Sequence, residues 1–326
     1  MNLKIAVAGC GNIGRIHAEI LDSFPEVEDL FLADPIVDFD IIKKGKVRET
    51  FKFYENIEAC DAVVIALPTS QHEEAVDYFS KRKIPMLIEK PLDIDSQKSA
   101  HILEMTRSRR CKAMCGLTGL YHPEFSAMYK QIGKIGEIVK VEERLHEAHP
   151  NLIRVLDQAR GVLTINGIHT MHRFFKISDM KGLGELKPQR VLLDKKYFKL
   201  IGEDYAEGEL RAGTVPFHFS MSFRNGNECD NGLPIDYNLR ITGTKGFVEV
   251  EGYESCHTVV DGKRFTNYQH PDGALLGQSQ YPRIRIGLEK ELREFLIFLK
   301  RRELEHHSML ESMSGQRVIE SCYNFR

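Results

Sequence analysis

No window of the chain stays apolar for the roughly 18 residues that a membrane-crossing helix needs, and neither sign of charge dominates. Across 326 residues, 45 basic side chains stand against 47 acidic ones, a formal net charge of −2. Without a basic excess the chain lacks the electrostatic footprint of a nucleic-acid or anionic-membrane binder, so neither partner is expected. Paired cysteines are missing as well. The seven cysteines are odd in number and scattered at 10, 60, 111, 115, 229, 256 and 322, without the spacing of a disulfide framework or a zinc site. Cys111 and Cys115 form a close pair, but no second pair completes four ligands, so buried thiols are expected and no metal. Nor is there room for a signal peptide, because "MNLKIAVAGCG" enters a strand pattern after about two residues. These absences point to a cytoplasmic protein.

What is present is ordinary in composition and informative in order. A hydrophobic share of 42% with 28% charged residues fits a globular chain, and 326 residues exceed the usual size of one domain, so two cores are expected. Up to residue 118, short apolar runs alternate with helical stretches. "KIAVAG", "DLFLAD", "DAVVIALP", "PMLIEK" and "KAMCGL" read as strands; "RIHAEILDSF", "HEEAVDYFSKRK" and "DSQKSAHILEMTRSRR" read as helices, the last opened by an Asp or Ser cap. That alternation predicts an α/β domain over 1–118, a doubly wound parallel sheet of the Rossmann type.

The first strand and first helix are joined by "GCGNIG". Gly9, Gly11 and Gly14 have G-x-G-x-x-G spacing, with Asn12 and Ile13 between the last two. The pattern is weak alone, but here it follows a strand and opens a helix. Asp34 then ends the next strand, twenty residues after Gly14. In that context Gly9 allows the turn, Gly11 lets backbone N–H groups approach a pyrophosphate, and Gly14 lets helix and strand pack closely. Asp34 can accept hydrogen bonds from ribose hydroxyls and would repel a 2′-phosphate. A dinucleotide site is expected, with NAD preferred to NADP. Leu67, Pro68, Thr69 and His72, in "ALPTSQH", are expected to border the same crevice, since ligands of open α/β sheets lie outside the carboxyl ends of the strands.

"LIEKPL" poses a sharper question. Leu87 and Ile88 look like the end of a buried strand, yet the chain then delivers Glu89 and Lys90 against Pro91, whose ring restricts the conformation of Lys90. A strand ending at such a crevice presents those charges to a ligand.

From residue 119 onward the reading changes. "VPFHFSMSF" alternates strictly, with Val215, Phe217, Phe219, Met221 and Phe223 on one face, and "RNGN" and "GTKG" are turn signals. The tail "LEKELREFLIFLKRRELEHH" is helical. The second domain is therefore expected over 119–326, a substrate-binding and oligomerisation α+β domain with C-terminal helices over 286–326.

Taken in order, "GCGNIGRIHAE", "ALPTSQHEEAV", "LIEKPL", "KQIGKIGEIVKV", "GIHTMHRF" and "ITGTKGFVEV" resemble the glucose–fructose oxidoreductase, inositol dehydrogenase and rhizopine-catabolism group, the Gfo/Idh/MocA family, over essentially the whole chain. The resemblance implies a Rossmann domain followed by a large, open, mostly antiparallel sheet. It also implies a homodimer or homotetramer, which apolar area on an uncovered sheet face would favour. It gives Lys90 contact with the reacting hydroxyl of a sugar, cyclitol or nucleotide sugar, and places Glu89 near the nicotinamide ribose. The family carries Asp-x-x-x-His on a helix of the second domain. His169 matches the histidine and Gly167 the small residue near it, but the aspartate position is Ile165, which offers neither charge nor hydrogen bond. Asn166 could fix the ring tautomer instead, and His172 occupies a position where the family commonly has another acidic residue. Tyr121, His146, His149, Asn151, Arg154 and Arg160 lie in segments that border the pocket in relatives; of these, the two arginines would suit an anionic substrate. An NAD-dependent dehydrogenase using Lys90 and His169 is the expected function. The alternative is a catalytically weakened NAD- and sugar-binding sensor, which the loss of the aspartate would favour.

Overall fold

The computed structural model describes residues 2–36, 45–57, 59–148, 160–197, 202–224, 229, 235–271, 280–301 and 307–325. The chain forms two compact units, residues 1–117 with 288–314 and residues 118–287 with 315–326.

The first unit is built on a six-stranded sheet whose pairings are all parallel. Its strands are β1 (Leu3–Ala8), β2 (Val27–Ala33), β3 (Val47–Phe51), β4 (Ala62–Ile65), β5 (Met86–Ile88) and β6 (Ala113–Cys115), in the spatial order β3-β2-β1-β4-β5-β6. The order reverses between β1 and β4, which opens a crevice at the carboxyl ends of those two strands. Apolar runs make the central strands: all four residues of β4 and all three of β5 are buried, as expected when helices cover both faces. The edge strand β3 is absent from the sequence reading. Its residues "VRETF" are all half-buried or exposed, so it carries little of the apolar signal that marks its neighbours.

Among the described residues three α-helices connect these strands: α1 (Asn12–Ser23), α2 (His72–Lys81) and α3 (Ser96–Ser108). Ile16, Ile20 and Leu21 bury one face of α1. The cap of α3 is Asp95, whose side chain accepts from the N–H groups of Gln97 and Lys98 at 2.7 and 3.2 Å, worth about 1 kcal/mol.

The C-terminal helices differ from expectation in two ways. The tail breaks into Gln280–Lys300 and His307–Tyr323. Moreover, residues 288–314 belong to the first unit and not to the second. Leu288, Leu292 and Phe295 are buried, Arg293 stacks over the Phe24 ring at 4.4 Å, and Lys112 Nζ donates to the Leu299 carbonyl at 2.9 Å, capping the helix end. Hydrophobic periodicity identifies a helix but not the core that receives its apolar face.

The second unit carries an eight-stranded sheet in the order β14-β13-β12-β11-β7-β10-β9-β8. The strands are β7 (Ile138–Ala148), β8 (Leu186–Asp194), β9 (Tyr205–Ala212), β10 (Val215–Arg224), β11 (Ile235–Gly243), β12 (Gly246–Glu251), β13 (Ser255–Val260) and β14 (Lys263–Gln269). All pairings are antiparallel except β10 with β7. β10 is the alternating "VPFHFSMSF" strand, with Val215, Phe217, Phe219, Met221 and Phe223 all buried. "GTKG" closes the β11–β12 hairpin, where Gly243 pairs with Gly246; "RNGN" lies largely outside the described residues. Helices Pro123–Gln131 and Gly167–Lys181 cover the apolar side of the sheet and contribute Phe125, Met128, Met171, Phe174 and Ile177 to its core.

The opposite face is polar. Arg144 pairs with Asp236, Arg240 with Glu249, and Arg211 with Glu209. Among the described residues, Leu192 is the large apolar side chain exposed on this face.

Candidate functional site

In the first unit the glycine loop has the geometry a pyrophosphate requires. Gly9 has φ +87°, and a Cβ there would lie 2.6 Å from the Ala66 carbonyl oxygen. A Cβ on Gly14 would fall 1.9 Å from the Gly9 carbonyl oxygen, so the start of α1 lies directly on the loop. Around Gly11 nothing lies within 4 Å of a Cβ position, which leaves open space for a ligand at the N-terminus of α1, beside Asn12 and Ile13. These are the features of a dinucleotide cradle.

Asp34 is fixed to this loop. Its Oδ2 accepts from the Cys10 N–H at 2.8 Å, and its Oδ1 accepts from the Ile36 N–H at 2.9 Å. These bonds hold the carboxylate at the end of β2, beside the loop. Burial pushes the Cys10 thiol up to about 12, with the Asp34 charge adding to the effect, so Cys10 is an inert packing group.

Leu67, Pro68 and Thr69 follow β4, as expected from the strand order, with Pro68 exposed. His72 is placed differently from the sequence expectation of a cofactor neighbour. It is buried, with Nε2 3.0 Å from the Leu67 carbonyl and Nδ1 3.1 Å from the carbonyls of both Pro91 and Leu92. Burial lowers its pKa despite these carbonyls, so the ring is neutral and its single N–H serves one side. His72 thus sits between the segments that follow β4 and β5 and donates to one of them at a time.

Glu89 and Lys90 follow β5 directly, and the Lys90–Pro91 peptide is cis. Glu89 is held by His17 of α1, whose Nε2 lies 2.7 Å from Oε1; Oε2 accepts from the Lys90 N–H at 3.2 Å. Burial opposes ionisation of Glu89, but the His17 hydrogen bond and the Lys90 charge hold its carboxyl below the usual range. Sequence reasoning missed His17. It sits among the buried apolar positions of α1, and nothing local indicates a partner 72 residues away.

In the second unit the helix bearing His169 begins at Gly167. A separate helical turn, Val162–Ile165, precedes it, and the two are divided at Asn166. The expected continuous helix is therefore interrupted between the Ile165 and His169 positions. His169 is half-buried, and its N–H donates to the Asn166 carbonyl at 3.1 Å. The Asn166 side chain is directed elsewhere, Nδ2 donating to Glu147 Oε2 at 3.1 Å. His172 is buried beside Gly315, where a Cβ would lie 3.2 Å from its Nε2.

Below His169 lies a charged pair absent from the sequence reading. Arg173 Nη2 donates to Glu143 Oε1, both side chains are buried, and Thr170 Oγ1 donates to the same oxygen at 3.2 Å. The only advance signals were an arginine in an apolar helix and a glutamate at a core-facing position of β7.

The remaining candidates scatter. Tyr121 follows the turn Thr118–Leu120 and is half-buried. His146 lies on the polar side of the sheet, the face opposite Glu143, where it bonds Ser222 Oγ at 2.8 Å; alternation along β7 separates the two. Arg160 stacks over the Tyr323 ring at 5.1 Å. His149, Asn151 and Arg154 lie outside the described residues.

Comparison with known proteins agrees with the fold of both units. Residues 3–117 match the GFO_IDH_MocA family, described as an oxidoreductase family with an NAD-binding Rossmann fold. The chain is 25% identical over 258 residues to an inositol 2-dehydrogenase of Rhizobium meliloti, covering 77% of this chain and 76% of that protein. Its fold is similar to that of an Agrobacterium radiobacter oxidoreductase solved with NAD+, L-tartaric acid and magnesium, at a TM-score of 0.80 and 15% identity, covering 100% of this chain and 98% of the other. A 3-ketoreductase from Actinomadura kijaniata, solved as a mutant with TDP-benzene and NADP, shares the fold at a TM-score of 0.74 and 16% identity over 98% of this chain and 96% of its own.

Proposed function

We propose that the chain, whose residues 3–117 match the GFO_IDH_MocA family of NAD-binding oxidoreductases, is a dehydrogenase transferring a hydride between NAD and a ring hydroxyl of a sugar, cyclitol or nucleotide sugar. The observation that carries the reading is the Glu89–Lys90 pair immediately after β5, with Glu89 anchored by His17 of the cradle helix. The nicotinamide, when bound, supplies the hydride acceptor. Gly9, Gly11 and Gly14, with Asn12 and Ile13, receive the pyrophosphate, Leu67 to Thr69 border it, and Asp34 selects an unphosphorylated ribose. In the oxidative direction the hydroxyl proton passes to a neutral Lys90 amine, and His169 engages the same oxygen. Tyr121 and the Asn166 region complete the substrate side.

The inositol dehydrogenase relative supports a cyclitol substrate, and the 3-ketoreductase neighbour with its TDP ligand supports a nucleotide-linked sugar. Ile165 in the aspartate position favours a second reading, a sensor that binds NAD and sugar without turnover. A screen of inositols, free sugars and nucleotide sugars with NAD separates the two. NADH formation with any of them supports the enzyme; sugar binding by calorimetry with no NADH formation across the whole screen decides for the sensor.

A further inference from the structure

We infer that Arg173 is a positioning residue that sets the tautomer of His169, keeping the ring proton on Nε2; the inference rests on reading His169 as a substrate-facing residue. Both side chains leave the helix Gly167–Lys181 one turn apart, on the same face. They converge on Gly119. A Cβ at that glycine would lie 2.8 Å from Arg173 Nη1 and 3.0 Å from His169 Nδ1, so glycine is what leaves both nitrogens their place. Arg173 is wholly buried, and while Nη2 is engaged by Glu143, its Nε and Nη1 have no hydrogen-bond partner among the described residues. The rings of Phe125 and Tyr237 flank the guanidinium at 4.9 and 5.6 Å. Their π faces favour the cation but do not use its in-plane donors. Burial opposes the charge, yet the Glu143 carboxylate outweighs it and raises the arginine pKa further, so Arg173 is a cation throughout the working pH range.

A cation with unused N–H donors therefore shares one small space with Nδ1. A proton on Nδ1 would set a donor against those donors, whereas a lone pair there faces positive charge. The other charged groups nearby do not reverse this. Glu143 is turned to Arg173 and Thr170, and Glu147 accepts from Asn166. A carboxylate one turn before the histidine, as the family pattern has it, would do the opposite: it would hold a proton on Nδ1 and leave the lone pair on Nε2. Ile165 removes that acceptor, and Arg173 places positive charge on the other side, acting through its field and not through a hydrogen bond. With Nε2–H outward, His169 donates a hydrogen bond to the substrate oxygen, as a neutral imidazole can when it polarises a carbonyl. Lys90 alone then takes the proton in the oxidative direction.

The test is a two-bond ¹H–¹⁵N correlation spectrum of the full chain labelled with ¹⁵N-histidine, recorded without substrate at roughly two pH units above the ordinary imidazole pKa. His169→Gln identifies the ring by its missing signals. The expected result is a pure tautomer with pyrrole-like Nε2 and pyridine-like Nδ1, where free imidazole side chains show a mixture. In the double variant Arg173→Met with Glu143→Gln, which leaves no unpaired charge, both nitrogens should shift toward the mixed values. A proton on Nδ1 or a mixture in the unmodified protein, or a pure Nε2–H ring retained in the folded double variant, overturns the inference. If the double variant does not fold, the unmodified protein's spectrum decides by itself. Because the ring is read without turnover, an inactive protein and a wrong tautomer are separate outcomes.

Discussion

Asp34 and Lys90 carry the two proposed roles that single substitutions test most directly. Asp34 spends one hydrogen bond on Cys10 and one on Ile36, so its carboxylate is held in place before any ribose arrives. NADH is expected to bind about tenfold more tightly than NADPH, a gap of about 1.4 kcal/mol, and Asp34→Asn, which removes the charge, should narrow it. Fluorescence titration showing equal affinities in the unmodified protein would remove the role assigned to Asp34. Lys90→Ala should lower kcat about 100-fold while changing the NADH Kd by less than about threefold, because the lost amine acts on the reacting hydroxyl. A parallel loss of cofactor binding would instead make Lys90 a cofactor ligand. At this scale the sequence was legible where spacing carries meaning. Gly9, Gly11, Gly14 and Asp34 follow a pattern that backbone geometry dictates. His17 and the Arg173–Glu143 pair were illegible because their partners lie 72 and 30 residues away, and no local period encodes such a meeting.

Elements place these residues, and the histidine between the ends of β4 and β5 shows how. His72 is buried and neutral between the carbonyls of Leu67, Pro91 and Leu92, with its pKa lowered by burial. The unfolded chain takes up a proton at this ring near pH 6.5 that the folded ring resists, so the folded state loses stability as pH falls below about 6.5. Glu89 acts in a lower window. Its depressed folded pKa contributes stability above the ordinary carboxyl range that is lost as pH falls through the folded value. Between about pH 7.5 and about pH 5.5 the unfolding free energy from urea titration should therefore fall less in His72→Asn than in the unmodified protein, by no more than about 1.4 kcal/mol per pH unit for the one proton. An identical pH slope in the two proteins would mean that His72 titrates normally. Strand runs and amphipathic helices were readable from periodicity. The edge strand β3 and the break at Asn166 were not, since the one lacks an apolar face and the other interrupts a sequence with good helical spacing on both sides.

At the scale of the molecule the chain divides where its sequence pattern changes, but not only there. The boundary near residue 118 follows from the switch between βα alternation and period-two strands, and the two units part between 117 and 118. What the pattern conceals is the return of residues 288–314 to the first unit. An apolar helical face announces that it will be buried, not where. Leu288, Leu292, Phe295 and Leu296 are buried there, Arg293 covers Phe24, and Ser308 Oγ accepts from the Cys115 N–H at 3.0 Å. Withdrawing several such side chains exposes apolar surface worth about 1.5 to 3 kcal/mol each, which is a large share of the 5 to 15 kcal/mol that typically separates folded from unfolded domains. A fragment of residues 1–117 should consequently bind a hydrophobic dye, unfold without a sharp urea transition, and hold NADH at least about tenfold more weakly than the full chain. Adding residues 288–314 through a flexible linker should restore the cooperative transition, because the missing piece supplies packing and helix-end hydrogen bonds rather than any group of the cradle itself. A 1–117 fragment that unfolds cooperatively and binds NADH like the whole chain would show that the βα alternation alone defines the folding unit.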